Sequence, residues 1–255
     1  MIKQLYLIIF ILWANSCDMV TGSGQKEASY VRDAEGKIVS GTVKEYKNDV
    51  LYAIRNVENY KLEGKTTIYQ KDGKTLKSEI YYKKGIKHGV VKAYYKEGSL
   101  YRTYNYNEGL MDGEQKRFRK NGKLSSIAIY RNGEPNNSLK EYLIDGQLKK
   151  KYPTIKISTE DKMLLNGQYK VHVRMSDNSK KVQFYLGKLD KDGFIKSNAV
   201  RMGSKGDGFF TVTYTLALGQ FVIEKLNIIA KTKTRQGNYY LTTKSYNVAI
   251  ENRAQ

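Results

Sequence analysis

Few side chains in this sequence have both the type and the spacing for chemistry. Its 255 residues hold one cysteine, Cys17, and two histidines, His88 and His172. Zinc and iron centres gather several histidine or cysteine ligands, often at short spacings, and neither histidine has such a neighbour. Asp190-Lys-Asp192-Gly opens like a calcium loop. Such a loop closes on a carboxylate at its twelfth position, and Arg201 stands there, so the stretch reads as a turn. No glycine-rich phosphate loop, serine elbow or nucleophile–base pairing is written in the chain. Paired carboxylates leave no sequence signature. The expectation is a non-enzymatic protein with no catalytic residues, no metal and no cofactor.

The residue best placed for covalent modification is Cys17. Lys3 supplies a short positive segment, and Leu5 to Trp13 form an apolar run of nine residues. A bilayer core of ~30 Å needs about twenty, whereas nine suits the apolar part of an export signal. Ala14-Asn-Ser-Cys17 resembles the lipobox of bacterial lipoproteins, where a small residue precedes a cysteine that is lipidated at the new N-terminus. Asn15 and the lack of leucine three places before the cysteine depart from the strict pattern. Ala14-x-Ser16 also fits ordinary cleavage, which would leave a soluble exported protein with a spare thiol. No second cysteine exists to pair with Cys17, so lipidation is the expected role. Residues 1–16 are then a lipoprotein-type signal peptide. Residues 17–29, with Thr21-Gly-Ser-Gly-Gln, are a flexible tether. The resemblance implies several acyl chains, which stable anchoring requires, and a place in the bacterial cell envelope, on the periplasmic side or the cell surface.

The largest signal lies downstream, in a phrase written four times. It reads GKTTIYQKDGKTL from Gly64, GVVKAYYKEGSL from Gly89, GEQKRFRKNGKL from Gly113 and NSLKEYLIDGQL from Asn137. An aromatic sits five places after each opening (Tyr69, Tyr94, Phe118, Tyr142) and a glycine nine places after (Gly73, Gly98, Gly122, Gly146). The steps are 25, 24 and 24 residues, the first longer by one at Thr75. Gly109 and Gly133 fall twenty places after their openings. Fixed-period self-similarity marks a repeat array. Asp-Gly and Asn-Gly between alternating apolar runs signal hairpins whose two turn residues both take positive φ. One hairpin cannot bury its own apolar face, so neighbours must lie edge to edge. Strands ~4.8 Å apart then give a sheet on the order of 40 Å long.

This phrase resembles the MORN-repeat variant of bacterial antitoxin-like proteins, from about Gly41 to Tyr152 and most clearly in the middle three copies. At the start, Gly41-Thr-Val-Lys-Glu-Tyr46 keeps the opening glycine and the aromatic, but Asn48-Asp-Val-Leu replaces the turn glycine; Asp33-Ala-Glu-Gly reads as half a unit. Degenerate ends suit capping units. The resemblance implies a single-layer antiparallel repeat sheet over residues 30–152 and a binding role without catalysis.

The period stops near Pro153, one of two prolines in the chain, and residues 153–255 are read as a second unit. Runs at Ile155–Ser158, Tyr169–Met175, Val182–Leu186, Ile195–Met202, Phe209–Leu216, Phe221–Thr232 and Tyr239–Ile250 make seven strands divided by turn clusters. That spacing points to an immunoglobulin-like β-sandwich lacking the usual cysteine pair and tryptophan. The fold class is therefore all-β.

The formal net charge is +20, divided +11 over residues 41–152 and +9 over 153–255. Basic residues among aromatics raise the question of nucleic acid, which the export signal sets aside. Near an anionic membrane each Lys or Arg is attracted by ~1 kcal/mol, so anionic lipid or an acidic glycan is a possible partner. Solvated lysines that block edge-to-edge aggregation are the plainer explanation. Fourteen of the 22 tyrosines lie in the repeats, either as cross-strand ladders or as an exposed binding stripe. The leading expectation is a membrane-anchored protein that binds another protein through its repeats, in an antitoxin- or immunity-like role. The alternatives are binding of anionic lipid or glycan, and a repeat spacer that presents the sandwich.

Overall fold

The computed structural model describes residues 29–203 and 206–253; the expected signal peptide, Cys17 and nearly all of the expected tether lie outside them. The described chain is all-β and antiparallel apart from one helical turn, Met163–Asn166, which ends at the left-handed Gly167. Residues 30–141 run as a meander in one 14-stranded sheet.

Each repeat contributes two strands. Gly64–Tyr69 pairs with Leu76–Lys83, Gly89–Tyr94 with Leu100–Asn107, and Gly113–Phe118 with Leu124–Arg131. The glycine nine places after each opening is a turn glycine, but the turn is not the expected type. At Gly98 the glycine N–H donates to Tyr95 O (3.0 Å), and Tyr95 N–H donates to Ser99 O (2.8 Å). Only the glycine takes positive φ, so this is a type I turn closed by a glycine bulge. Gly122 and Gly146 repeat this wiring. In the first copy the extra Thr75 is absorbed here: Gln70 N–H reaches Thr75 O (2.7 Å), one residue further on.

The turns with two positive-φ residues lie at the opposite edge, as two-residue links between repeats. They are Asn59-Tyr60, Lys84-Gly85, Glu108-Gly109 and Asn132-Gly133; one further pair, Asn48-Asp49, closes the first hairpin on the Gly73 edge, where the degenerate unit lacks its turn glycine. Neighbouring hairpins do join. Ser78 faces Ala93 and Glu79 faces Lys92; nearer the link Tyr82 faces Lys87, so four residues of one strand oppose two of the other. The same offset recurs at all four junctions. Gly64, Gly89 and Gly113 sit inside these bulges at φ of 67°, 78° and 93°, where a bulge bends and twists the sheet.

Side-chain alternation gives the sheet two faces. Ala53, Thr66, Val91, Gln115, Ala128 and Tyr130 share an inner face and are buried; Tyr81, Val90 and Ile129 share the outer face and are exposed.

Residues 155–251 form a three-stranded sheet (Ile155–Lys162, Gln168–Met175, Phe209–Thr215) and a four-stranded one (Val200–Met202, Val182–Leu186, Phe221–Lys233, Tyr239–Glu251). Val171, Val173, Met175 and Phe210 of the first pack with Phe184, Ile228, Ala230 and Val248 of the second in one core. All seven expected strands are found. The fourth is shorter than expected, because Ile195 bridges back to Leu189 and a turn at Lys196–Ala199 delays the strand to Val200.

Candidate functional site

The chemistry-bearing residues of the sequence do not converge. His88 lies in the bulge before Gly89, its N–H donating to Tyr81 O (2.9 Å). His172 lies on a sandwich strand, with Nδ1 2.9 Å from Thr211 Oγ1 and Nε2 3.7 Å from Glu160. Asp190 accepts from the backbone of Asp192 and Phe194 (2.9 and 3.0 Å), as a turn carboxylate does, and is ion-paired with Arg131 at 2.8 Å. These bonds hold its carboxyl below the ordinary range, the Phe194 N–H foremost. Among the described residues no three His, Cys, Asp or Glu side chains gather as metal ligands would, and no helix is long and apolar enough to cross a membrane. Cys17 is outside the described residues.

Three structural features set what the repeat sheet can present. The first is a chain of staples between repeats at the residue six places after each opening. Gln70 Nε2 donates to Tyr95 O (3.4 Å), Tyr95 Oη to Phe118 O (2.9 Å) and Arg119 Nη2 to Tyr142 O (2.7 Å). Tyr95 also meets Tyr101, ring centroids 4.8 Å apart, and Tyr94 Oη donates to Glu79 (2.6 Å). Many tyrosines thus tie the sheet together.

The second is a junction that covers the inner face of the last hairpins. Glu141, fully buried, accepts from Asn238 Nδ2 (2.7 Å), the Thr234 hydroxyl and Lys149 Nζ (2.8 Å). Tyr152 stacks on Tyr240 at 4.6 Å beside Ala128, Tyr130 and Leu139. Arg131 pairs with Asp190 and Asp192, and its guanidinium lies 4.0 Å from the Phe194 ring centroid. Asn137, which replaces the opening glycine of the fourth copy, donates its N–H to Gly193 O (3.0 Å). Sequence reasoning missed this junction; the broken glycine at 137 was its one local trace.

The third lies at the other end of the sheet. Lys47, Lys71, Lys77 and Lys96 border a cleft of about 860 Å³ walled by Val50, Leu51, Tyr52 and Tyr69. Tyr52 and Lys77 are the unpaired residues of the two bulges that border the cleft. None of the four lysines forms an ion pair among the described residues. Lys47 Nζ sits 3.7 Å from the Tyr52 ring centroid. The equivalent of Lys71 and Lys96 one repeat later, Lys120, is neutralised by Glu97 at 2.8 Å. The one carboxylate in the cleft, Asp72, is engaged by its own turn, accepting from the N–H groups of Lys74 and Thr75 (2.9 and 2.8 Å).

No family model matches the chain, and no curated protein matches it.

Proposed function

We propose that this chain is a non-enzymatic binding protein of the bacterial envelope, held to a membrane through lipidated Cys17, that captures a protein partner on the outer face of its repeat sheet. The observation that supports this reading most is the asymmetry of the sheet. The sandwich covers the inner face of the last hairpins, while Tyr81, Val90 and Ile129 stay exposed on the outer face. Large side chains exposed on a rigid, regular sheet suit partner binding. The resemblance to the MORN-repeat variant points the same way and suggests an antitoxin- or immunity-like role toward a partner met outside the cytoplasm. In the same proposal the C-terminal half is an immunoglobulin-like sandwich. Its first, second and fifth strands share one sheet, and its fourth, third, sixth and seventh share the other in that order, an arrangement in keeping with that class.

The test uses the full chain carrying Cys17→Ser, immobilised and exposed to envelope extract. It is expected to retain a protein saturably, and Tyr81→Ala with Val90→Ser is expected to release it. Retention of anionic lipid alone contradicts the reading. The four-lysine cleft favours a second reading, binding of anionic envelope lipid or surface glycan.

A further inference from the structure

The cleft at the N-terminal end of the sheet narrows the second reading, anionic lipid or glycan, and its assignment rests on that reading. We propose that it is a binding site for a linear acidic oligosaccharide. Lys47, Lys71, Lys77 and Lys96 line it, four positive charges against the single carboxylate of Asp72, whose oxygens accept from its own turn. An anion entering the cleft therefore meets uncommitted donors, and such charge-assisted bonds are the strong ones.

Charge alone would not separate a sugar from any other anion. The wall does, because Tyr52, Tyr69, Val50 and Leu51 present apolar and aromatic surface between the lysines. The C–H faces of sugar rings pack on such surface while their carboxylate or phosphate substituents reach the ammonium groups. The shape is also selective. A single saccharide chain is narrow enough to enter a cleft of about 860 Å³, which a flat bilayer surface is not.

The cleft is preformed. The Gln70 amide donates to Leu76 O and Tyr95 O (3.5 and 3.4 Å), tying one wall to the next repeat. A Cβ on Gly73 would fall 2.8 Å from Val50 Cγ1, so the two turns that bound the cleft are packed in contact. Binding then requires little ordering of the protein.

Calorimetric titration of the full folded chain with a hexameric uronate tests the assignment. Binding is expected in low salt, weakening as salt rises. Lys71→Gln with Lys77→Gln is expected to weaken it by about tenfold or more, the loss of two charge-assisted contacts. Tyr52→Leu is expected to weaken it while leaving its salt dependence intact. Lys180→Gln with Lys181→Gln removes the same charge from the exposed sandwich surface and is expected to change affinity by less than about twofold. Because the substituted lysines carry no ion pair, circular dichroism of each variant is expected to match the parent. Equal losses in the two lysine pairs would overturn the proposal, as would failure of the uronate to bind. Tighter binding of phosphatidylglycerol vesicles overturns the saccharide assignment but leaves the anionic-lipid reading standing. Tighter binding of a single-stranded oligonucleotide of equal charge overturns it in favour of nucleic acid. Failure of every anionic probe overturns both the assignment and the second reading.

Discussion

At the scale of single residues, the fold leans on a few buried polar groups. Glu141 is a fully buried carboxylate with three side-chain donors, two of them on the sandwich. Glu141→Ala strands Lys149 and the Asn238 amide, and urea denaturation is expected to show a loss of roughly 3 kcal/mol. The Lys65–Glu79–Tyr94 cluster gives a pH signature. Lys65 Nζ, 2.5 Å from Glu79, and then the Tyr94 hydroxyl hold the Glu79 carboxyl below its ordinary range. Burial and then Glu79 push the Tyr94 hydroxyl up to about 12. A depressed carboxyl stabilises the fold above its unfolded pKa, and that part is lost as pH falls through the folded value. A raised phenol stabilises below about 10, and that part is lost as pH rises toward about 12. Stability followed by fluorescence is thus expected to fall at both ends, and Glu79→Gln is expected to blunt the acid limb. An acid limb unchanged by that substitution would contradict the cluster's role.

At the scale of the hairpin, the sequence shows a great deal. The glycines nine places after each opening, the long first step at Thr75 and all seven sandwich strands were readable. The turn type was not. Asp-Gly and Asn-Gly suggested two positive-φ residues, yet the surrounding residues close a longer loop in which the glycine alone is left-handed. The two-residue turns sit instead at the links between repeats, where Asn132-Gly133 carries the usual signal but Lys84 and Glu108, the first residues of the other two glycine links, do not. Their conformation is imposed by the strands that they join. The glycine columns can be ranked. Gly122 has φ 78° and open space around its Cβ position, so Gly122→Ala is expected to cost about 1 kcal/mol, the left-handed penalty alone. Gly73→Ala adds a clash with Val50 at 2.8 Å and is expected to cost on the order of 2–3 kcal/mol. Equal losses in thermal melts would show that the packing of adjacent turns carries no weight.

At the scale of the molecule, one sheet carries two unlike ends. Its C-terminal end is covered by the sandwich through contacts between residues 56 to 119 positions apart, from Asn137 with Gly193 to Arg117 with Gln236. No local pattern announces contacts of that separation. Its N-terminal end holds the lysine cleft, and the exposed outer face runs between them. The proposed function turns on that face being where a partner sits. A photo-reactive amino acid placed at Tyr81, Val90 or Ile129 in the cell, and at Thr211 on the sandwich as control, reads this directly. A partner seated on the outer face gives a common protein adduct from the three sheet positions and none from Thr211; adducts from Thr211 alone, or none from the sheet, would contradict it.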